Sequence, residues 1–80
     1  MKLFIYEGCP YCLKVRDAME KFGLKEEVDI ELVDAHQEQN KKKLIKLGGK
    51  VQVPFLVDND VMMYESDDII SYLFKKKPKT

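Results

Sequence analysis

The 80-residue sequence lacks tryptophan, long apolar runs and any net charge, since 14 basic residues balance 14 acidic ones. Balanced charge gives no attraction for nucleic acid or for an anionic membrane, and it favours a small neutral or zwitterionic partner. The first apolar run ends at Glu7, so it is too short for a signal peptide or a membrane span. We therefore expect one domain over residues 1–80, in the cytoplasm and without a membrane segment.

Cysteine is also scarce, because the chain has only Cys9 and Cys12. Disulfides are rare in reducing compartments, and closing so short a loop restricts the unfolded chain very little. A structural role as a disulfide staple is therefore disfavoured. A catalytic or metal-binding role is left for the two thiols.

The distribution of apolar residues predicts an α/β fold with a mixed sheet. The predicted strands are Lys2–Tyr6, Val28–Asp34, Pro54–Val57 and Val61–Tyr64, and the predicted helices are Pro10–Phe22, Gln37–Leu47 and a third one capped by Ser66. The first strand is almost entirely apolar, as in the centre of a sheet, whereas the second alternates with charged residues, as at an edge. The order strand, helix, strand indicates a parallel crossover, and the turn residues 58–60 indicate an antiparallel hairpin. The prediction is a four-stranded sheet built as βαβ and then ββα, with three helices.

Helical spacing also predicts which side chains the helices bury. The predicted buried residues are Val15, Ala18, Met19 and Phe22 in the first helix, Leu44, Ile45 and Leu47 in the second, and Ile69, Ile70, Leu73 and Phe74 in the third. Lys75–Thr80 is predicted to be a solvated tail.

The segment Cys9-Pro10-Tyr11-Cys12 follows the first strand and opens the first helix. A thiol at a helix start is favoured as the thiolate, because unpaired backbone N–H groups and the helix dipole stabilise the negative charge. Cys9 is therefore the candidate nucleophile and Cys12 the resolving thiol, with Pro10 fixing the backbone and Tyr11 flanking the site. Zinc would need four ligands, and the only other soft candidate is His36, so no metal site is expected.

At this point the chain resembles the glutaredoxins of the thioredoxin superfamily, whose dithiol members carry the same Cys-Pro-Tyr-Cys. The opening stretch Met1–Arg16 is most similar to the N-terminal domain of the larger bacterial glutaredoxins, which are built like glutathione transferases. Gln52–Leu56 is similar to the family's segment before the third strand, and Tyr64-Glu65-Ser66 to its Glu-Ser motif before the last helix. The resemblance spans nearly the whole chain and implies a thioredoxin-like fold.

The resemblance also assigns roles around the thiols. It implies a cis Val53–Pro54 peptide whose backbone pairs with glutathione, beside Gln52. It further implies that Ser66 and the helix start receive the γ-glutamyl carboxylate, with Glu65 near the amino group. Taken alone, Pro54 is typical of a strand start and Ser66 of a helix cap, and both pairs of roles can hold together.

One position departs from the family pattern. Tyr6 stands where many small glutaredoxins have a basic residue that pairs with the glycyl end of glutathione, and Lys50 or Gln52 are candidates to replace that contact.

The function that the resemblance implies is glutathione-dependent thiol-disulfide oxidoreduction. Its substrates would be protein disulfides and glutathionylated proteins, with glutathione as co-substrate, no tightly bound cofactor and a monomeric enzyme. Two alternatives stay open. One is a thioredoxin-like hydrogen donor reduced by a flavoprotein reductase. The other is an iron–sulfur cluster held between the Cys9 residues of two chains, which Pro10 and the competing thiol of Cys12 disfavour.

Overall fold

Four strands and three helices make up the computed structural model, which describes residues 1–76. The elements are β1 Lys2–Ile5, α1 Pro10–Lys21, β2 Glu31–Asp34, α2 Glu38–Gly48, β3 Phe55–Asp58, β4 Val61–Met63 and α3 Ser66–Lys76. The sheet order is β2-β1-β3-β4, with β1 parallel to β2 and the other two pairs antiparallel. This confirms the mixed sheet, with β1 in its interior and β2 at an edge.

Alternation along β1 divides the core into two layers. Leu3 and Ile5 pack into a cluster with buried residues of α1 and α3, whereas Phe4 packs with Leu44 of α2 and Phe55 of β3. Because successive strand side chains point to opposite faces, α1 and α3 cover one face of the sheet and α2 covers the other.

Helix α1 has the predicted start and the predicted buried face. Pro10 occupies its first turn, where the missing N–H costs no hydrogen bond. Cys12 is buried on the same face as Val15 and Met19, so the core holds the resolving thiol of the predicted pair in place. The helix ends at Lys21, and Gly23 follows with a φ of +77°, which suits glycine just beyond a helix end.

The second strand is shorter than the alternation predicts. β2 begins only at Glu31, and Val28 is 76% exposed in a turn. The Lys25 carbonyl accepts hydrogen bonds from the N–H groups of Val28 and Asp29, at 3.3 and 2.9 Å, and the Asp29 carboxylate accepts one from the Lys25 N–H at 2.8 Å. Local turn bonds therefore replace the expected strand pairing at residues 28–29.

Three side chains predicted to be buried are exposed. On α2 only Leu44 is buried, while Ile45 and Leu47 are 46% and 44% exposed. On α3, Phe74 is 52% exposed and meets the ring of Phe22 edge-on, with the ring centroids 5.4 Å apart. Each of these helices packs on a small sheet. The sheet covers fewer side chains of the helix than the helical spacing of apolar residues predicts.

The ends of the last elements also differ in detail from the prediction. The β3–β4 turn contains two residues, Asn59 and Asp60, and Asn59 takes a φ of +55°. Helix α3 begins at Ser66 itself and continues to Lys76, so the first part of the predicted lysine-rich tail is helical. Residues 77–80 of that tail lie outside the described residues. None of the helices within residues 1–76 is long and apolar enough to cross a membrane.

The two leucines on α2 provide a matched test of the core. Leu44 is fully buried and Leu47 is 44% exposed, so Leu44→Ala should lower the free energy of unfolding by about 2–5 kcal/mol. Leu47→Ala should lower it by less than about 1 kcal/mol. Urea denaturation followed by circular dichroism measures both. Equal losses would contradict the assignment of Leu44 to the core.

Candidate active site

Strand direction brings the predicted site residues to one end of the sheet. Because β3 is antiparallel to both β1 and β4, the segment after β1, the segment before β3 and the segment after β4 lie at the same end. These segments hold Cys9–Cys12, Gln52–Pro54 and Glu65–Ser66. The fold therefore gathers three motifs that are far apart in sequence.

Cys9 occupies the N-cap position of α1 with extended backbone angles. Its N–H donates to the Tyr6 carbonyl at 3.2 Å, and its carbonyl accepts from the Leu13 N–H at 3.0 Å, so its backbone is held on both sides. Partial burial disfavours the thiolate, but the backbone N–H and thiol of Cys12 and the backbone N–H of Tyr11 outweigh that effect and lower the pKa of Cys9. Cys9 is half-buried and remains accessible to a substrate.

Cys12 has the opposite environment. Its side chain is only 1% exposed, and burial raises the pKa of its thiol to about 11. The backbone of Tyr6 and the charge of Arg16 oppose this rise, whereas the neighbouring Cys9 adds to it. The two thiols therefore differ, since Cys9 ionises more readily than an ordinary thiol and Cys12 keeps its proton at neutral pH.

Arg16 is a further neighbour of the thiols, and the sequence motifs do not single it out. It lies one helical turn beyond Cys12, and its charge favours the Cys12 thiolate. Its guanidinium makes two hydrogen bonds to the Glu26 carboxylate, Nε to Oε1 at 2.8 Å and Nη2 to Oε2 at 3.1 Å. The i, i+4 spacing from Cys12 is a signal that could have suggested it.

The peptide between Val53 and Pro54 is cis, as the resemblance implies. Val53 is half-buried and packs against both core clusters, and Pro54 is buried, while Gln52 is half-buried. Within residues 1–76, Val51, Gln52 and Val53 make no hydrogen bond. No group of the described residues 1–76 thus pairs with the backbone N–H and C=O of Val53, and they can bind an extended peptide.

The start of α3 combines free backbone N–H groups with acidic side chains. Ser66 is half-buried and Glu65 is exposed, and the Glu65 carbonyl accepts the Ile69 N–H at 2.9 Å. Asp67 lies in the first turn, where it forms an ion pair with Lys14 of α1 at 2.6 Å. The exposed N–H groups at a helix start can receive a carboxylate.

Tyr6 has an aromatic ring as its partner. Its ring stacks on His36 with centroids 4.1 Å apart and planes 9° apart. This contact could not be foreseen from the sequence, because Tyr6 and His36 are 30 residues apart. The Nζ of Lys50, one candidate for the missing cation, lies 4.8 Å from the centroid of the Tyr64 ring.

A strand-to-helix dithiol and a cis-proline segment at one end of a β2-β1-β3-β4 sheet define a thioredoxin-like domain. The family model for the glutathione S-transferase N-terminal domain matches residues 3–80, and the chain belongs to that family. The fold agrees with glutathione S-transferase 1-6 from Anopheles dirus species B, at a TM-score of 0.75 and 25% identity, over 100% of this chain and 37% of that one. A glutathione S-transferase from the Antarctic clam Laternula elliptica gives a TM-score of 0.73 at 28% identity, over 98% of this chain and 35% of that one.

Curated relatives carry the glutaredoxin name. Glutaredoxin 2 of Escherichia coli K12 is 39% identical over an alignment of 77 positions that covers 94% of this chain and 33% of that protein. Glutaredoxin 1 of Rickettsia prowazekii is 29% identical over an alignment of 85 positions, gaps included, that covers 96% of this chain and 88% of that protein. The chain thus spans about a third of the length of the first relative. These matches confirm the glutaredoxin resemblance and the thioredoxin-like fold.

The difference between the two thiols can be measured by alkylation. The rate at Cys9 should rise with pH through a midpoint below 9.0, because its thiolate is stabilised. Cys12 should stay unmodified until the pH approaches about 11. Iodoacetamide labelling over a pH series, with peptide mass spectrometry, measures both midpoints.

A Cys12→Ala variant provides the control for this titration. It removes one group that lowers the pKa of Cys9, so its Cys9 midpoint should move upward. A wild-type Cys9 midpoint at or above 9.0 would contradict the assignment of Cys9 as the nucleophile.

Proposed function

We propose that this protein is a glutathione-dependent thiol-disulfide oxidoreductase that reduces glutathione mixed disulfides and protein disulfides through Cys9 and Cys12. Its family and its glutaredoxin relatives support a glutathione-related thiol oxidoreductase. The observation that carries the finer proposal is the contrast between the two thiols. A half-buried Cys9 of lowered pKa stands beside a buried Cys12 whose pKa is about 11.

The first step is attack of the Cys9 thiolate on the glutathione sulfur of a mixed disulfide. The new bond joins Cys9 Sγ to glutathione, and the substrate disulfide breaks as the substrate sulfur leaves with the electron pair and takes up a proton. The lowered pKa of Cys9 increases the fraction of thiolate available for this attack. A second glutathione thiolate then attacks the glutathionyl sulfur, which releases glutathione disulfide and restores the Cys9 thiolate.

A protein disulfide would use Cys12 as well. After Cys9 forms a mixed disulfide with the target, Cys12 loses its proton and attacks Cys9 Sγ, which releases the reduced target and leaves a Cys9–Cys12 disulfide. Two of the effects that raise the pKa of Cys12 come from the Cys9 thiolate. These two effects disappear once Cys9 is in a disulfide. The pKa of Cys12 therefore falls at the step in which Cys12 must attack. Two molecules of glutathione then reduce the internal disulfide.

Glutathione would lie across the end of the sheet next to Cys9. The unpaired backbone of Val53 would bind it as an added strand, between Pro10-Tyr11 on one side and Gln52 on the other. The start of α3 at Ser66 would receive the γ-glutamyl carboxylate, with Glu65 near the amino group. Lys50 supplies a positive charge for the glycyl end in place of the residue that Tyr6 replaces. The balanced charge of the chain fits a zwitterionic co-substrate rather than nucleic acid or membranes. Glutathionylated or disulfide-bonded proteins would be the partners that the enzyme reduces. We extend the proposal to a monomer in the cytoplasm.

Serine substitutions separate the roles of the two thiols. Cys9→Ser should reduce glutathione-dependent turnover of a small glutathione mixed disulfide by at least about a thousandfold, because it removes the nucleophile. Cys12→Ser should keep most of that turnover but lose reduction of a protein disulfide. Oxidation of NADPH by coupled glutathione reductase measures both reactions.

Three outcomes would contradict the proposal. Turnover with a thioredoxin reductase and none with glutathione would favour the hydrogen-donor alternative. A stable coloured dimer after anaerobic incubation with iron and sulfide, without turnover, would favour a cluster-binding protein. Transfer of glutathione to an electrophile by wild type and Cys9→Ser alike, without disulfide reduction by either, would favour a transferase.

The carboxylate role of Ser66 has a matched control on the same helix. Ser66→Ala removes a charge-assisted hydrogen bond and should raise the KM for glutathione about tenfold, with little change in kcat. Ser71 is exposed in the middle of α3, so Ser71→Ala should leave the KM unchanged. Steady-state kinetics with varied glutathione tests the pair. Equal KM values in both variants would remove Ser66 from the binding site.

A further inference from the structure

Tyr64 makes contacts that the proposed chemistry does not use. It follows β4 and directly precedes Glu65. Its hydroxyl donates a hydrogen bond to the Lys50 carbonyl at 2.9 Å, its ring packs on Phe55 with centroids 4.5 Å apart, and the Nζ of Lys50 lies 4.8 Å from its ring centroid. One side chain therefore connects the segment after β4 with the segment before β3.

Gly48 provides the space for this tyrosine. It is the last residue of α2, and a Cβ added there would overlap the Tyr64 hydroxyl and its ring carbons. The next residue, Gly49, takes a φ of +88° and turns the chain out of the helix towards Lys50. The Tyr64 ring is thus held in one position by two separate contacts. One is the close approach of the ring to Gly48, and the other is the hydrogen bond to the Lys50 carbonyl.

The segment that Tyr64 holds has few other restraints. Val51, Gln52 and Val53 make no hydrogen bond to any of residues 1–76, and Val51 is exposed. The hydrogen bond at Lys50 therefore restrains the segment at its start, while the packing of Val53 and Pro54 restrains its end. A loop held at both ends presents its free backbone groups in one geometry, which reduces the entropy lost on binding.

We propose that Tyr64 is a positioning residue that fixes the Lys50–Val53 segment relative to Glu65–Ser66 and thereby sets the affinity of the site for glutathione. The proposal rests on the proposed function. The side chain of Tyr64 acts through Lys50 and Gly48 and does not take part in the thiol chemistry. Its loss should change KM without changing the reactivity of Cys9.

The first test compares two tyrosine hydroxyls. Tyr64→Phe keeps the ring and removes the bond to Lys50, and it should raise the KM for glutathione about three- to tenfold, the range that one hydrogen bond supplies. The kcat and the pH midpoint of Cys9 alkylation should stay at the wild-type values. Tyr72→Phe is the control, because the Tyr72 hydroxyl bonds the Asp58 carboxylate at the far end of β3. That variant should leave the KM unchanged.

A double-mutant cycle tests the contact with Gly48. Gly48→Ala should raise the KM in the wild-type background, because the new methyl group displaces the tyrosine ring. It should have little further effect in the Tyr64→Leu background, where the shorter side chain leaves room. Circular dichroism establishes that each variant is folded.

A readout that does not need glutathione keeps this proposal separate from the proposed function. The NMR order parameters of the backbone N–H groups of residues 51–53 should fall in Tyr64→Phe and not in Tyr72→Phe. Unchanged order parameters in Tyr64→Phe would overturn the positioning role, and so would an unchanged KM or an equal effect of Gly48→Ala in both backgrounds. A wild-type protein that does not turn over with glutathione would instead overturn the function, while the order parameters still decide the role of Tyr64.

Discussion

The burial of Cys12 is the constraint on which the rest of the site depends. With Cys12 fixed on the core face of α1, helical geometry leaves Cys9 at the helix start, half-exposed and close to free N–H groups. The same burial raises the pKa of Cys12, and Cys12 in turn lowers the pKa of Cys9. Packing and electrostatics thus act together, because a change that exposed Cys12 would bring the pKa values of the two thiols closer together.

Sheet topology supplies the other half of the site. The strand that leads into Cys9 runs antiparallel to the strand that follows Pro54, so the thiols and the cis-proline segment share one end of the sheet. The hairpin from β3 to β4 then returns the chain to that end at Tyr64. A small domain can therefore assemble a binding site from three local motifs without a dedicated binding loop.

Patterns of residues close together in the sequence predicted the helices and strands well. They did not predict contacts between residues that are far apart in the sequence. The start of α1 and the placement of both cysteines follow from residues close together in sequence. The stack of Tyr6 on His36 and the fit of Tyr64 against Gly48 join residues that only the folded chain brings together. How much of a helix face is buried depends on the width of the sheet on which the helix packs. The sequence of the helix carries no information about that width. The exposure of Leu47 is the result.

The charges at the start of α3 fit a zwitterion better than a simple anion. Glu65, Asp67 and Asp68 surround the helix start and would repel a lone carboxylate, although the N–H groups there attract one. Lys14 pairs with Asp67 and offsets one negative charge. A γ-glutamyl end carries an amino group beside its carboxylate, so the ammonium can face the remaining acidic side chains while the carboxylate faces the backbone. Under the proposed function, the acidic residues therefore select for the amino group and the helix start for the carboxylate.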